Sequence, residues 1–196
     1  MSRGTASPTV LVVDDEREVA DIYTLRLGDD YETRTAYSGR AALGTMDEDI
    51  DIVLLDRRMP DLSGDEVLAE IRERGYDCRV IMLTAVNPGP DIVDMPFDDY
   101  LCKPVEKDDL VAAIEQQLRV QRHDGRLGEY FETRSKLSLL EGRLPPESEE
   151  LERLRTRVEQ LEAELDGTLD GCDHTDEFGS SANLEASFSS IDRHPG

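Results

Sequence analysis

Thr9–Glu18 reads TVLVVDDERE, and the fold turns on the change of character inside that stretch. Thr9–Val13 is a short, β-branched and almost wholly apolar run with no polar alternation. Such a run suits a strand buried on both faces of a parallel sheet. It stops at three acidic residues, Asp14, Asp15 and Glu16. Over Glu16–Leu27 the spacing becomes helical, with Val19, Ile22, Tyr23 and Leu25 set among polar residues, and Gly28 ends the pattern.

The same alternation continues outward. Tyr31–Tyr37 is a second, weaker strand, and Gly39–Met46 a short helix behind Ser38 as N-cap. Asp51–Leu55 (DIVLL) is a third strand. Ser63-Gly64-Asp65-Glu66 is a capping box that starts a helix through Arg74. Arg79–Leu83 (RVIML) is a fourth strand, Tyr100–Cys102 a brief fifth, and a long helix starts at Lys107. Strand–helix alternation with short loops implies an α/β fold in which helices cover both faces of a parallel sheet. A sheet this small fits the flavodoxin-like five-stranded order 2-1-3-4-5, whose ligands bind outside the carboxyl ends of the strands.

Those ends carry particular groups. Strand one ends in Asp14-Asp15-Glu16, strand three in Asp56 and strand four in Thr84, and strand five is followed by Lys103-Pro104. In this topology the groups converge, with the carboxylates several ångströms apart. Two such charges ~4 Å apart repel by about 4 kcal/mol at an effective dielectric of ~20. The arrangement needs a cation, and oxygen donors without Cys or His favour Mg²⁺. A nucleotide-binding domain of this topology would need a glycine-rich loop after strand one, where this chain has DDERE. A phosphatase with an Asp nucleophile would carry it after strand one with a second carboxylate two residues on. Here Asp14 and Asp15 are adjacent, and the best acceptor follows strand three.

VLVVDDE, VLLDRRMPDLSG, VIMLTA and DDYLCKP resemble, in order and spacing, the signature segments of the response-regulator receiver family, over residues ~9–118. The resemblance implies a phosphorelay protein that takes a phosphoryl group on Asp56 from a sensor histidine kinase. It implies Mg²⁺ held by Asp14, Asp15, Asp56 and the backbone carbonyl of Arg58. Lys103 and Thr84 would stabilise the phosphoryl oxygens, Thr84 and Tyr100 would be the switch pair, and the bond before Pro104 would be cis. No enzymatic turnover is implied beyond the chain's own phosphoryl transfer and dephosphorylation. Phosphoryl transfer has a loose transition state that asks for positioning and charge neutralisation more than for a strong nucleophile, which suits a carboxylate acceptor. One departure stands out: Pro88, Gly89, Pro90 and Pro96 leave only Asp91–Met95 for the fourth helix, so dimerisation through that helix is not carried over.

After Leu118 the apolar residues thin out. Tyr130, Leu137, Leu140 and Leu144 precede Pro145-Pro146, and over Glu147–Asp166 the residues Leu151, Leu154, Val158, Leu161 and Leu165 form a coiled-coil seam. Two helices joined by a proline turn suggest an antiparallel hairpin over 119–166. Its stripes either bury each other or leave a seam free for a homodimer or a partner helix. With LGEYF at 127–131, this part is similar to the HalX domain found after receivers in haloarchaeal regulators. DNA is one candidate partner and a protein the other. Residues 119–166 hold nine Lys/Arg against twelve Asp/Glu, with a local strip at Arg153, Arg155 and Arg157 and no helix-turn-helix or zinc-finger spacing. Residues 1–8 and the acidic Gly/Ser-rich 167–196 are expected to be disordered.

The net charge is −23. Residues 1–118 carry 12 Lys/Arg and 27 Asp/Glu, so the acidity is not confined to the tail. Such self-repulsion is screened by salt and suits a molar-salt cytosol. Three cysteines, Cys78, Cys102 and Cys172, without a CxxC pair argue against a disulfide framework or zinc ribbon. Cys172, Asp173, His174 and Asp176 lie close together, but Cys and His in a polar tail are far more often unliganded. Neither a signal peptide nor a membrane span is visible, so a cytoplasmic protein is expected.

Overall fold

The structure, a computed structural model, describes residues 7–85, 88–121 and 125–169. The Cys172–Asp176 cluster and nearly all of the tail lie outside these residues. The described residues up to Glu162 form one compact unit. The described residues beyond it are the last turns of a helix.

Five strands, β1 (Thr9–Val13), β2 (Glu32–Ala36), β3 (Ile52–Asp56), β4 (Arg79–Thr84) and β5 (Asp99–Cys102), form a wholly parallel sheet in the order 2-1-3-4-5. The registers Val13↔Leu55 and Asp56↔Leu83 align the strand ends. β1, β3 and most of β4 are buried along their length, as their unbroken apolar runs require, whereas β2 at the edge is only partly covered.

The helices are α1 (Arg17–Leu27), α2 (Gly39–Thr45), α3 (Gly64–Glu73), α4 (Lys107–Gln121), α5 (Gly125–Leu140) and α6 (Glu149–Leu169). α1 and α4 cover one face, where Ala20, Tyr23, Leu27, Leu110 and Ile114 pack on Val10, Val12, Leu54 and Ile81. α1 buries Ala20, Tyr23 and Leu27 and leaves Ile22 and Leu25 exposed, so two of the four apolar positions that marked this helix in the sequence are not in its core stripe.

The other face is covered by α2, α3 and, unexpectedly for an appendage, by the hairpin. Leu139, Leu140, Leu151 and Leu154 belong to the same apolar cluster as Leu11, Val53, Val67, Phe97 and Tyr100. They fit there because the helix expected between β4 and β5 is reduced to a single 3-10 turn, Pro90–Ile92. Lys136 of α5 donates to the carbonyl of Met95 at 2.6 Å and lies 4.9 Å over the Phe97 ring. Ser135 Oγ is 2.8 Å from Asp99 Oδ1. In α6 the seam residues Leu151, Leu154, Val158 and Leu161 are all buried within the chain, so this part of the seam is not a free surface.

α4 is described as far as Gln121 and α5 from Gly125. Gly128 serves close packing: a Cβ there would come 3.1 Å from the Arg79 guanidinium and 3.3 Å from Val120. Among the described residues no helix is long and apolar enough to cross a membrane.

Candidate functional site

β1, β3 and β5 deliver their C-terminal ends to one edge, and a lysine joins them. Lys103 Nζ donates to Asp14 Oδ2 at 2.5 Å and to Asp56 Oδ1 at 2.6 Å. Asp14 is 1% exposed and Asp56 6%. Each carboxylate has one further local donor, the amide of Glu16 to Asp14 Oδ1 at 3.0 Å and the amide of Arg58 to Asp56 Oδ2 at 2.9 Å. The Lys103–Pro104 peptide is cis, and the Lys103 amide donates to the Thr84 carbonyl at 2.7 Å.

The loop after Asp56 is held from the far side by α3. Ser63 Oγ accepts from the Glu66 amide at 3.3 Å while Glu66 Oε2 accepts from the Ser63 amide at 2.9 Å, which is the expected capping box. Gly64 must be glycine for the helix start to sit so close, since a Cβ there would fall 2.3 Å from the Asp56 carbonyl oxygen.

Two carboxylates against one ammonium leave the cluster one charge short of neutral. Burial pushes the Asp56 carboxyl above its ordinary range, and Asp14 adds to that, against the opposing pull of Lys103. For Lys103 burial works downward, but its hydrogen bonds to Asp14 and Asp56 win and hold the amine above its usual value. The site therefore favours an added cation.

Asp15, next to Asp14 in the chain, is half-buried. Among the described residues no three Asp, Glu, His or Cys side chains gather into a metal-holding group; Lys103 Nζ occupies the point between Asp14 and Asp56 instead. The chemistry of the donors, carboxylate oxygens, still fits a hard dication better than a soft one.

Thr84 ends β4 and is 1% exposed; Tyr100 in β5 is also 1% exposed. The Tyr100 hydroxyl is in hydrogen-bonding contact with both Thr84 and Arg57. Tyr100 is thus already turned inward. Arg57 is a partner that sequence reading missed. It follows Asp56 directly and pairs with Asp65 at 3.0 Å and with Asp91. No local spacing announces these contacts, since the partners lie on α3 and on the 3-10 turn.

Residues 10–115 match the response regulator receiver domain family. The chain belongs to the response regulator receiver family. Residues 119–181 of this response regulator match the HalX domain. The receiver domain protein of Clostridium thermocellum superposes with a TM-score of 0.54 at 31% identity, covering 59% of this chain and 97% of that one. The Thermotoga maritima response regulator TrrA, solved in complex with Mg²⁺–BeF, superposes with a TM-score of 0.51 at 33% identity, over 56% of this chain and 98% of TrrA. A Haloferax volcanii protein described as "Putative transcriptional regulator" is 45% identical over 168 residues, which is 84% of this chain and 29% of that relative's length.

Proposed function

We propose that this response regulator accepts a phosphoryl group from a histidine kinase on Asp56 and passes the signal to the α5–α6 hairpin. The observation that carries the reading is the Lys103 bridge between Asp14 and Asp56: an acceptor carboxylate at a strand end, beside a second carboxylate and a fixed ammonium. Asp14, Asp15, Asp56 and the Arg58 carbonyl would hold Mg²⁺, and the metal complex of the TrrA relative supports that assignment. When bound, Mg²⁺ would neutralise part of the phosphoryl charge. The chain's own groups do the rest. Lys103 places a positive charge at Asp56, the Arg58 amide holds one carboxylate oxygen, and the Thr84 hydroxyl donates to a phosphoryl oxygen. The receiver occupies 9–118 and the hairpin 119–166 in this reading.

Incubation with acetyl phosphate and Mg²⁺ should add one acid-labile phosphoryl group, seen by intact-protein mass spectrometry. Asp56→Asn should remove it. A stoichiometric phosphoryl group on the variant would show that the acceptor is elsewhere.

Two outputs divide the hairpin's role. The Haloferax relative's description favours transcriptional control through DNA. The ion pairs favour protein contact: Arg153 is paired with Asp94, Arg155 with Glu141 and Arg157 with Glu129, so the local basic strip is neutralised from within. We take protein contact as the main output. A DNA-binding assay at molar KCl, with and without beryllofluoride, decides between them; salt-sensitive DNA binding would establish the transcriptional reading.

A further inference from the structure

We propose that Arg57 is a positioning residue: its guanidinium sets where the β4–β5 connection lies and, through that connection, how the hairpin docks.

The backbone of Arg57 is fixed on two sides. Its amide donates to the Leu83 carbonyl at 3.0 Å and its carbonyl accepts from the Gly64 amide at 2.9 Å. From this anchor the side chain, 14% exposed, reaches three elements. Nε and Nη2 bind Asp65 on α3 at 3.0 and 3.1 Å, Nη2 also binds Asp91 on the 3-10 turn, and the guanidinium contacts the Tyr100 hydroxyl on β5. An exposed ion pair contributes little. A guanidinium held on its backbone and shared by two carboxylates and a buried phenol defines a geometry.

The connection needs such a restraint. A full helix would define its own position through its ladder of hydrogen bonds. Here three residues of 3-10 turn carry backbone bonds of 3.2–3.3 Å, so the position must come from outside. Arg57 supplies it at Asp91. The hairpin takes hold a few residues on. Arg153 pairs with Asp94 at 3.2 Å. Lys136, only 5% exposed, donates to the Met95 carbonyl at 2.6 Å and to Glu132 at 2.7 Å. A buried ammonium on a backbone carbonyl tolerates little displacement of that carbonyl. A shift of Asp91 is therefore felt at α5.

The same guanidinium is tied to the switch. Thr84 and Arg57 share one Tyr100 hydroxyl. If an anionic group on Asp56 draws the Thr84 hydroxyl to itself, the phenol gives up Thr84 and keeps Arg57. Arg57 thus interacts differently in the two states, which is the condition for a group to bias an equilibrium. This last step rests on the reading of Asp56 as acceptor; the positioning role does not.

Hydrogen exchange on the full chain tests both parts. Without any phosphoryl mimic, Arg57→Ala should speed exchange of amides in 91–99 and in α5 by about tenfold, with β1 and β3 unchanged. Asp91→Asn, which keeps Arg57 and Asp65, should give the same pattern more weakly, and it carries the test if Arg57→Ala does not fold. Arg57→Lys should restore part of the protection. Wild-type exchange at the hairpin in both Arg57→Ala and Asp91→Asn, or uniform loosening of the whole receiver, overturns the proposal. In the second arm, Mg²⁺ and beryllofluoride should change hairpin exchange in wild type but not in Arg57→Ala, with beryllofluoride binding followed by fluorine NMR. A response of wild-type size in Arg57→Ala overturns the link to the switch. Failure of wild type to bind beryllofluoride would count against the acceptor reading, and the first arm would still decide the role of Arg57.

Discussion

Asp56 and Asp98 are both nearly buried aspartates, and their surroundings separate their roles. Asp98 receives Arg72 at 2.5 Å, Arg79 at 2.6 Å and the Val80 amide at 2.7 Å; with two guanidiniums and an amide it is a tie between α3, β4 and β5. Asp56 shares a single ammonium with Asp14, and burial leaves its carboxyl easier to protonate than in the unfolded chain. A carboxyl whose folded pKa lies above its unfolded value stabilises the fold fully at low pH, and the contribution is lost as pH rises through the folded value. At neutral pH without Mg²⁺ the charged Asp56 is therefore a liability. Asp56→Asn should raise the melting temperature there, and the gain should shrink as pH falls through the carboxylate range towards the unfolded value. Calorimetry from acid to neutral pH checks this. A variant that melts below wild type at pH 7 would mean that the Lys103–Asp56 bond outweighs the cost of burial.

Among the elements, the 3-10 turn and the hairpin are complementary. The β4–β5 connection holds a single 3-10 turn, and α5 and α6 add Leu139, Leu140, Leu151 and Leu154 to the apolar cover that Ile92 and Phe97 begin. Leu140 is fully buried in that joint cluster. Leu140→Ala should cost about 2–5 kcal/mol, the range for a large-to-small change in a packed core. Removal of residues 119–196 should destabilise the receiver further. Urea unfolding followed by circular dichroism measures both. A hairpin that was only appended would give a Leu140→Ala change below about 0.5 kcal/mol, as for an exposed site.

For the whole molecule the dominant fact is a charge of −23. The hairpin does not offset it, and the ion pairs joining its arms, Arg155–Glu141 and Arg157–Glu129, are substantially exposed. Exposed pairs contribute little, so unpaired acidic repulsion should decide stability in dilute buffer. Screening lengths fall to about 3 Å at ~1 M salt. Circular dichroism in about 50 mM and about 3 M KCl should show more native signal at high salt, and equal melting in both would remove the molar-salt reading.

The sheet and its acidic edge were legible in the sequence because they rest on local signals. Apolar runs such as TVLVV and RVIML are strands by composition, short loops impose a parallel order, and that order puts every strand's C-terminal end on one side. Asp14, Asp56 and Lys103 are far apart in the chain, yet their positions at strand ends suffice to bring them together. What the tertiary structure alone decided depends on which surface covers which. The spacing of Leu151, Leu154, Val158 and Leu161 marks an apolar stripe, but a stripe does not name its partner, and here the stripe turns into its own chain's core. The apolar positions of α1 include Ile22 and Leu25, which no element among the described residues buries. Arg57 finds Asp65, Asp91 and Tyr100 only once three elements are packed. Periodicity records the solvent preference of a side chain within its own element. The identity of a neighbour is set by packing between elements distant in sequence, and no local pattern carries that information.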